Sequence, residues 1–376
     1  MNEGEKPKIL LVADYSNFHA TLAKGLRNLG CDVTLVSDGG SFMKCERDID
    51  ISRKHKGKLG GLLYASKLYR TAKNRMTGFD IVSFRDPAFL DLKPARIKWF
   101  FKLIADANPS CFLSYLSTDL PYLDMLESTD SPLRYSEWFI DGSPNRMRIE
   151  EKDKWDSWHA APMRDLNNYF YGRMKGAVTA LYEYHLAAQR VFPADKIAYG
   201  GIPIDVDNIE FKVTENPERV RIFLARDHRR KREKGSDLLE IAARNVVERH
   251  PDKAEFVLVE NVSRDLYMKT MTSCHLLLDQ MYSYTPATMA LEGMASGLTV
   301  ITGAEKEFYD FIGEKDNFPM LNSPIALEPL EKCIEELVMK PGNLIERGKR
   351  GREFVVKHNH MDKVAGRFLN FWIANA

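Results

Sequence analysis

The sequence predicts an α/β protein built from two doubly wound domains, and three observations carry that expectation. Residues 8–37 read strand, helix, strand; a second series of the same kind begins near residue 221; a polar, Pro-containing stretch at 203–219 separates the two. At 376 residues the chain also exceeds what one core ordinarily serves.

The elements follow in order. Residues 8–13 form an apolar run fit for a strand buried on both faces. Residues 14–19 make a polar turn. A helix is expected over 20–29, with Leu22, Ala23, Leu26 and Leu29 at helical spacing and Gly30 as its stop. Residues 32–37 are the next strand, and such a unit implies a parallel pair with a right-handed crossover. Residues 79–84 and 111–115 repeat the strand pattern around a helix at 97–107. Residues 119–162, rich in aromatics, prolines and charge, break the rhythm and read as an irregular excursion. Its Trp138–Trp158 stretch suits an acceptor wall, a membrane-surface element or a mobile loop. A helix at 167–175 and a short strand at 177–180 precede Tyr182-Glu183-Tyr184-His185, which reads as structural.

In the second series, strands are expected at 221–225, 255–260, 275–278 and 298–302. Helices are expected at 235–249, 262–273, 285–295, 327–339, 344–358 and 362–374. The domain boundaries are 1–203, 204–358 and a terminal helix, 359–376, returning to the first domain through Phe368, Phe371 and Trp372.

Composition narrows the class. With 54 basic and 53 acidic residues the net charge is +1, which gives no support to a nucleic-acid-wrapping protein. The first apolar run is too short for a signal core, and no stretch approaches the roughly 20 apolar residues of a membrane span. A soluble, cytoplasmic chain is expected, with peripheral membrane contact left open. The five cysteines are scattered without Cys-x-x-Cys spacing, which reads as free thiols and no zinc.

The chemistry is densest at 276–297. A buried strand ends near Asp279, and Thr285-Pro286 reads as the cap and first position of a helix. The N–H groups of Ala287, Thr288 and Met289 would then form an anion site at the carboxyl edge of a parallel sheet. Glu292, two turns along, suits ribose hydroxyls.

Residues 291–301, LEGMASGLTVI, resemble the nucleotide-sugar motif of family 4 GT-B glycosyltransferases, whose two Rossmann-like domains face a cleft. Glu292 matches the second Glu of that motif; eight positions back, Tyr284 stands where the first Glu would be. A second resemblance runs through FLAR, ending at Arg226, and EKGSDLL, containing Lys234. It implies that Arg226 and Lys234 neutralise the donor diphosphate, with Arg229 or Arg230 as substitutes for Arg226. In the N-terminal half the resemblance places the turn Asn17-Phe18-His19 and Asp119 on the acceptor side. His19 suits a capping role as well as a chemical one.

The resemblance implies a hexosyltransferase of polysaccharide biosynthesis. It would move a sugar from a nucleoside diphosphate donor to a saccharide or lipid-linked saccharide hydroxyl, with retention and without a metal or other cofactor. A nucleotide-sugar 2-epimerase of the same fold and a non-catalytic binder are the rivals. An oxidoreductase is disfavoured because the first turn lacks Gly-x-Gly-x-x-Gly.

Overall fold

A computed structural model describes residues 6–39, 46–55, 57–213, 217–226 and 231–376. The first part of the chain runs β1 (Lys8–Val12), α1 (Phe18–Asn28), β2 (Asp32–Ser37), β3 (Ile49–Asp50), α2 (Gly57–Arg75), β4 (Ile81–Phe84), α3 (Pro94–Ala105), β5 (Cys111–Tyr115) and α4 (Leu120–Glu127). A hairpin of β6 (Phe139–Ile140) and β7 (Ser143–Pro144) leads into α5 (Arg146–Glu150). Then come α6 (Lys152–His159), α7 (Ala161–Tyr171), β8 (Ala177–Thr179), α8 (Tyr182–Ala188) and β9 (Ile197–Tyr199).

The chain divides into two compact units. The first comprises Met1–Asp130, Lys152–Pro203 and Met361–Ala376; the second comprises Ser131–Glu151 and Ile204–His360. The first unit holds a seven-stranded sheet in the order β3-β2-β1-β4-β5-β8-β9, every pair parallel. Burial on both faces explains the unbroken apolar runs: Ile9, Leu10, Leu11 and Val12 are fully buried.

The second unit adds β10 (Val220–Arg226), α9 (Lys231–Lys234), α10 (Ser236–Arg249), β11 (Ala254–Glu260), α11 (Arg264–Met271), β12 (Leu276–Leu278), α12 (Thr288–Ser296) and β13 (Thr299–Thr302). It ends with α13 (Lys306–Phe311), β14 (Leu321–Asn322), α14 (Leu327–Met339) and α15 (Gly342–His358). Its five strands are parallel in the order β11-β10-β12-β13-β14. Around β10 and β12, Ile222, Leu224, Leu276 and Leu278 pack with Leu239, Val246 and Ile334 from the covering helices.

The last helix, α16 (Met361–Asn375), belongs to the first unit and packs on α1. Phe368 and Trp372 are fully buried there. Closeness is possible because position 25 has no side chain: a β-carbon on Gly25 would lie 2.7 Å from the Met361 carbonyl oxygen and 2.9 Å from Ala365 Cβ. Gly25→Val should therefore destabilise the protein by about 1–3 kcal/mol through overpacking, read as a lower urea midpoint. An unchanged midpoint would show that the two helices separate freely.

Several expectations need correction. The stretch 119–162 is mostly helical, because Pro121 and Pro162 stand at helix starts, where a missing N–H costs nothing. Trp138 and Trp155 are buried, at 1% and 3% exposure, so neither builds an exposed wall or surface element. Residues 131–151 lie with the second unit, not within a domain spanning 1–203. Long-range bonds fix them there: the Arg134 N–H donates to Tyr284 Oη at 2.7 Å, Arg146 pairs with Asp237 at 2.8 Å, and Glu150 pairs with Arg232 at 2.5 Å. Helix α2 was not expected at all. Among the described residues no helix is long and apolar enough to cross a membrane.

Candidate functional site

In open parallel sheets ligands bind beyond the carboxyl ends of the strands, where strand order reverses. In the second sheet that point lies between β10 and β12. Arg226 ends β10 and Asp279 follows β12. The Asp279 carboxylate is fully buried. It takes the Lys234 ammonium at 2.8 Å and the Thr302 hydroxyl at 2.9 Å. The Ala287 N–H reaches it at 3.3 Å.

Lys234 is held by its backbone as well as its side chain. The Met281 N–H donates to the Lys234 carbonyl at 3.0 Å. Gly235 follows with φ +66, and a β-carbon there would sit 2.8 Å from Met281 Sδ. The tight left-handed turn thus presses Lys234 onto the loop after β12. Its ammonium has three protons, and Asp279 takes one of them.

Helix α12 starts later than the sequence suggests. Ala287 is its N-cap and Thr288 its first residue. Thr285 does not serve, because its carbonyl is held by Gln280 Nε2 at 3.0 Å and Ser283 Oγ at 2.9 Å. Of the anticipated N–H donors, Ala287 is turned onto Asp279. Thr288 and Met289 occupy the first helical turn, which no side chain caps.

Glu292 is 5% exposed on α12, and Arg264 of α11 donates to Oε1 at 2.6 Å. Burial, followed by the Glu292 charge, holds the Tyr267 phenol well above its ordinary range, and Tyr267 is hydrogen-bonded to that carboxylate. Arg226 is committed elsewhere. It pairs with Glu240 at 2.5 Å and Glu260 at 2.6 Å, so it braces β10 against α10 and β11. Arg229 and Arg230 lie outside the described residues. Tyr284 is 1% exposed, packs its ring at a tilt against Tyr135 with centroids 4.9 Å apart, and accepts from the Arg134 N–H. It anchors the 131–151 segment.

In the first unit the reversal lies between β1 and β4. A cavity of about 330 Å3 opens beyond these strands, lined by Asp14, Asp38, Arg85, Asp91, Ile51 and Phe89 among others. Asp14 accepts from the N–H groups of Tyr15 and His19 at 2.7 and 2.9 Å, which fastens the start of α1. Burial pushes its carboxyl up to about 6. Arg85 pairs with Asp86 at 2.6 Å.

No family model matches the chain, and no curated protein matches it. Solved structures do match. Sucrose-phosphate synthase from Thermosynechococcus elongatus superposes with a TM-score of 0.62 at 13% identity, over 99% of this chain and 100% of that one. TarM from S. aureus, solved with fondaparinux, alpha-GlcNAc-glycerol and UDP, gives 0.55 at 13% identity over 83% of this chain. The chain spans 58% of TarM's length. A Listeria monocytogenes protein named as a candidate UDP-N-acetylglucosamine 2-epimerase gives 0.53 at 12% identity, over 97% and 95%.

The fold is GT-B.

Within this GT-B chain, the two acceptor-side candidates from the sequence are interior groups. His19 is 1% exposed, with Nδ1 at 2.5 Å from the Ala13 carbonyl and Nε2 at 3.0 Å from Ser114 Oγ. Burial lowers its pKa to about 4, so it is a neutral tie between α1 and β5. Asp119 is fully buried, caps α4 through the Tyr122 N–H, and receives the hydroxyls of Tyr115 and Tyr171. The residues that do line the first unit's cavity, Asp14 and Arg85, escaped the sequence reading. Asp14 directly follows the strand run, which is the signal that could have found it. Asp279, which follows β12 in the same way, escaped as a partner for Lys234.

Burial raises Asp119 from 3.8 to about 7, against hydrogen bonds that favour its charged form. The folded protein then keeps a proton that the unfolded chain releases. Stability from this group is full below about pH 4 and is lost as pH rises through about 7. His19 acts oppositely: its contribution is full above about pH 6.5 and is lost as pH falls toward about 4. Asp119→Asn keeps the shape without the titration. The variant's stability relative to wild type should rise steadily from about pH 4 to 7, measured by urea denaturation. A difference that ignores pH would show that Asp119 titrates normally.

Proposed function

We propose that this protein transfers a sugar from a nucleoside diphosphate donor to a hydroxyl acceptor. The observation that carries the reading is the convergence of Lys234, Asp279 and the start of α12 at the strand-order reversal of the second sheet, with Glu292 on the same helix. The donor diphosphate lies against Lys234 and the Thr288 and Met289 N–H groups. Glu292 takes the ribose hydroxyls. Lys234 then counters the charge that grows on the departing diphosphate. Arg226 supports β10 and does not touch the donor. UDP is the first nucleotide to test, because TarM was solved with it.

The acceptor is a saccharide or lipid-linked saccharide hydroxyl, held in the cavity of the first unit. Its carboxylates Asp14, Asp38 and Asp91 accept hydroxyl hydrogen bonds, while Arg85 donates them. Retention of configuration and independence from metal belong to the same reading and rest on the family resemblance.

The test is a panel of UDP-, GDP-, ADP- and dTDP-sugars. A nucleotide at about 100 times its dissociation constant should add roughly 2.7 kcal/mol of stability. Turnover should release the nucleoside diphosphate together with a glycosylated product. The epimerase-named neighbour supports a second outcome, an epimerised sugar, which would replace the transferase reading. Stabilisation without any product would mark a binding protein, and no stabilisation by any nucleotide would end the proposal.

A further inference from the structure

Helix α2 presents its leucines to water. Leu59, Leu62 and Leu63 are 73%, 70% and 55% exposed. Single exposed leucines are ordinary, but these three stand at i, i+3 and i+4 and so share one face of the helix. Only Gly60, Leu68 and Ala72 of this 19-residue helix are buried. The helix is therefore held by a thin inner stripe, and its most apolar turn faces outward.

Charge singles out the same segment. Between Ile51 and Phe79 the sequence has eight Lys and Arg and no Asp or Glu. The whole chain is only +1, so everything outside this segment sums to −7. Lys58, Arg70 and Lys73 are exposed on α2. Among the described residues, no basic side chain of this segment is in an ion pair with a carboxylate.

We propose that α2 docks this protein on an anionic lipid bilayer. The three leucines enter the boundary between headgroups and acyl chains, and the surrounding cations meet the lipid phosphates. A basic helix with exposed leucines has the two components that interfacial binding needs, apolar burial and electrostatic attraction. The leucines distinguish this from a nucleic-acid surface. A polyanion would engage the cations and leave the leucines in water, and single strands are gripped by aromatic stacking, which leucine does not provide. The proposal does not depend on the transferase reading.

The experiment is co-sedimentation of the full chain with vesicles of phosphatidylcholine alone and of phosphatidylcholine with phosphatidylglycerol, at low and high salt. Binding should require phosphatidylglycerol and weaken as salt rises. The triple variant Leu59→Ser, Leu62→Ser, Leu63→Ser should bind anionic vesicles at least roughly tenfold more weakly. Lys58→Gln, Arg70→Gln, Lys73→Gln should lose about tenfold or more, since each cation near the surface contributes about fivefold. Both variants alter exposed positions, so their thermal midpoints should match wild type. Failure to bind anionic vesicles at low salt would overturn the proposal. So would binding that survives the leucine changes, which would show a surface for polyanions or acidic proteins read by charge alone.

Discussion

Lys234→Ala should lose both stability and donor binding, and the two losses should be separable. Among the described residues, removing the ammonium leaves the fully buried Asp279 carboxylate with the Thr302 hydroxyl and the Ala287 N–H. Breaking one side of such a pair costs about 3 kcal/mol. In the proposed pose the same change removes the cation beside the donor diphosphate. Hydrogen bonds to charged groups contribute about 1.5–3 kcal/mol, so UDP affinity should fall by about 10- to 150-fold. Turnover should fall further, because charge accumulates on the leaving group in the transition state. The double variant Lys234→Ala, Asp279→Asn removes the stranded charge. It should recover much of the stability and none of the turnover, as followed by urea denaturation and by nucleoside diphosphate release. Full activity in the Lys234 variant would place the diphosphate elsewhere.

Glu292→Gln should weaken nucleotide binding by about 1–3 kcal/mol, and the loss should be the same for UDP and for uridine monophosphate. Both carry the ribose, and only the ribose meets this carboxylate in the proposed pose. The amide also loosens the contacts to Arg264 and Tyr267, so the unliganded variant must be compared for stability. Tyr284→Phe is the control. Its hydroxyl serves the Arg134 N–H, so its removal should cost about 1 kcal/mol of stability and leave UDP binding nearly unchanged. Calorimetry on the three proteins decides it. Equal affinity losses for the Glu292 and Tyr284 variants, or none for Glu292, would mean that ribose lies elsewhere.

Much of the architecture was legible because parallel strands buried on both faces read as continuous apolar runs. The runs at 9–12 and Leu276–Leu278 are of that kind, and Ile81–Phe84 is broken only by Ser83. Helix α2 was hidden for the opposite reason: Leu59, Leu62 and Leu63 point outward, and the buried stripe of Gly60, Leu68 and Ala72 is too thin to mark an inner face. The placement of 131–151 depends on Tyr284, 150 positions beyond Arg134, and no local pattern announces such a contact. The start of α12 was misplaced because Thr285-Pro286 has the composition of a cap, while the Thr285 carbonyl is held within the preceding loop by Gln280 and Ser283. Lys234 and Glu292 were singled out by motif spacing. Their partners Asp279 and Arg264 were not, since a lone charged residue beside a strand or helix carries no spacing of its own.

The chain passes between the two units four times, and neither unit is a continuous stretch. Engineering that treats residue 203 as a clean splice point would cut through both. A second half exchanged as 204–376 would carry away α16, baring the α1 face around Phe18, Leu22 and Gly25. It would also leave behind the 131–151 hairpin that Tyr284 grips. A transplant that preserves both cores has to take two pieces, 131–151 and 204–360, and return the chain to its original owner at Met361. A single breakpoint anywhere in the chain therefore divides at least one of the two cores, and only a paired exchange leaves both whole.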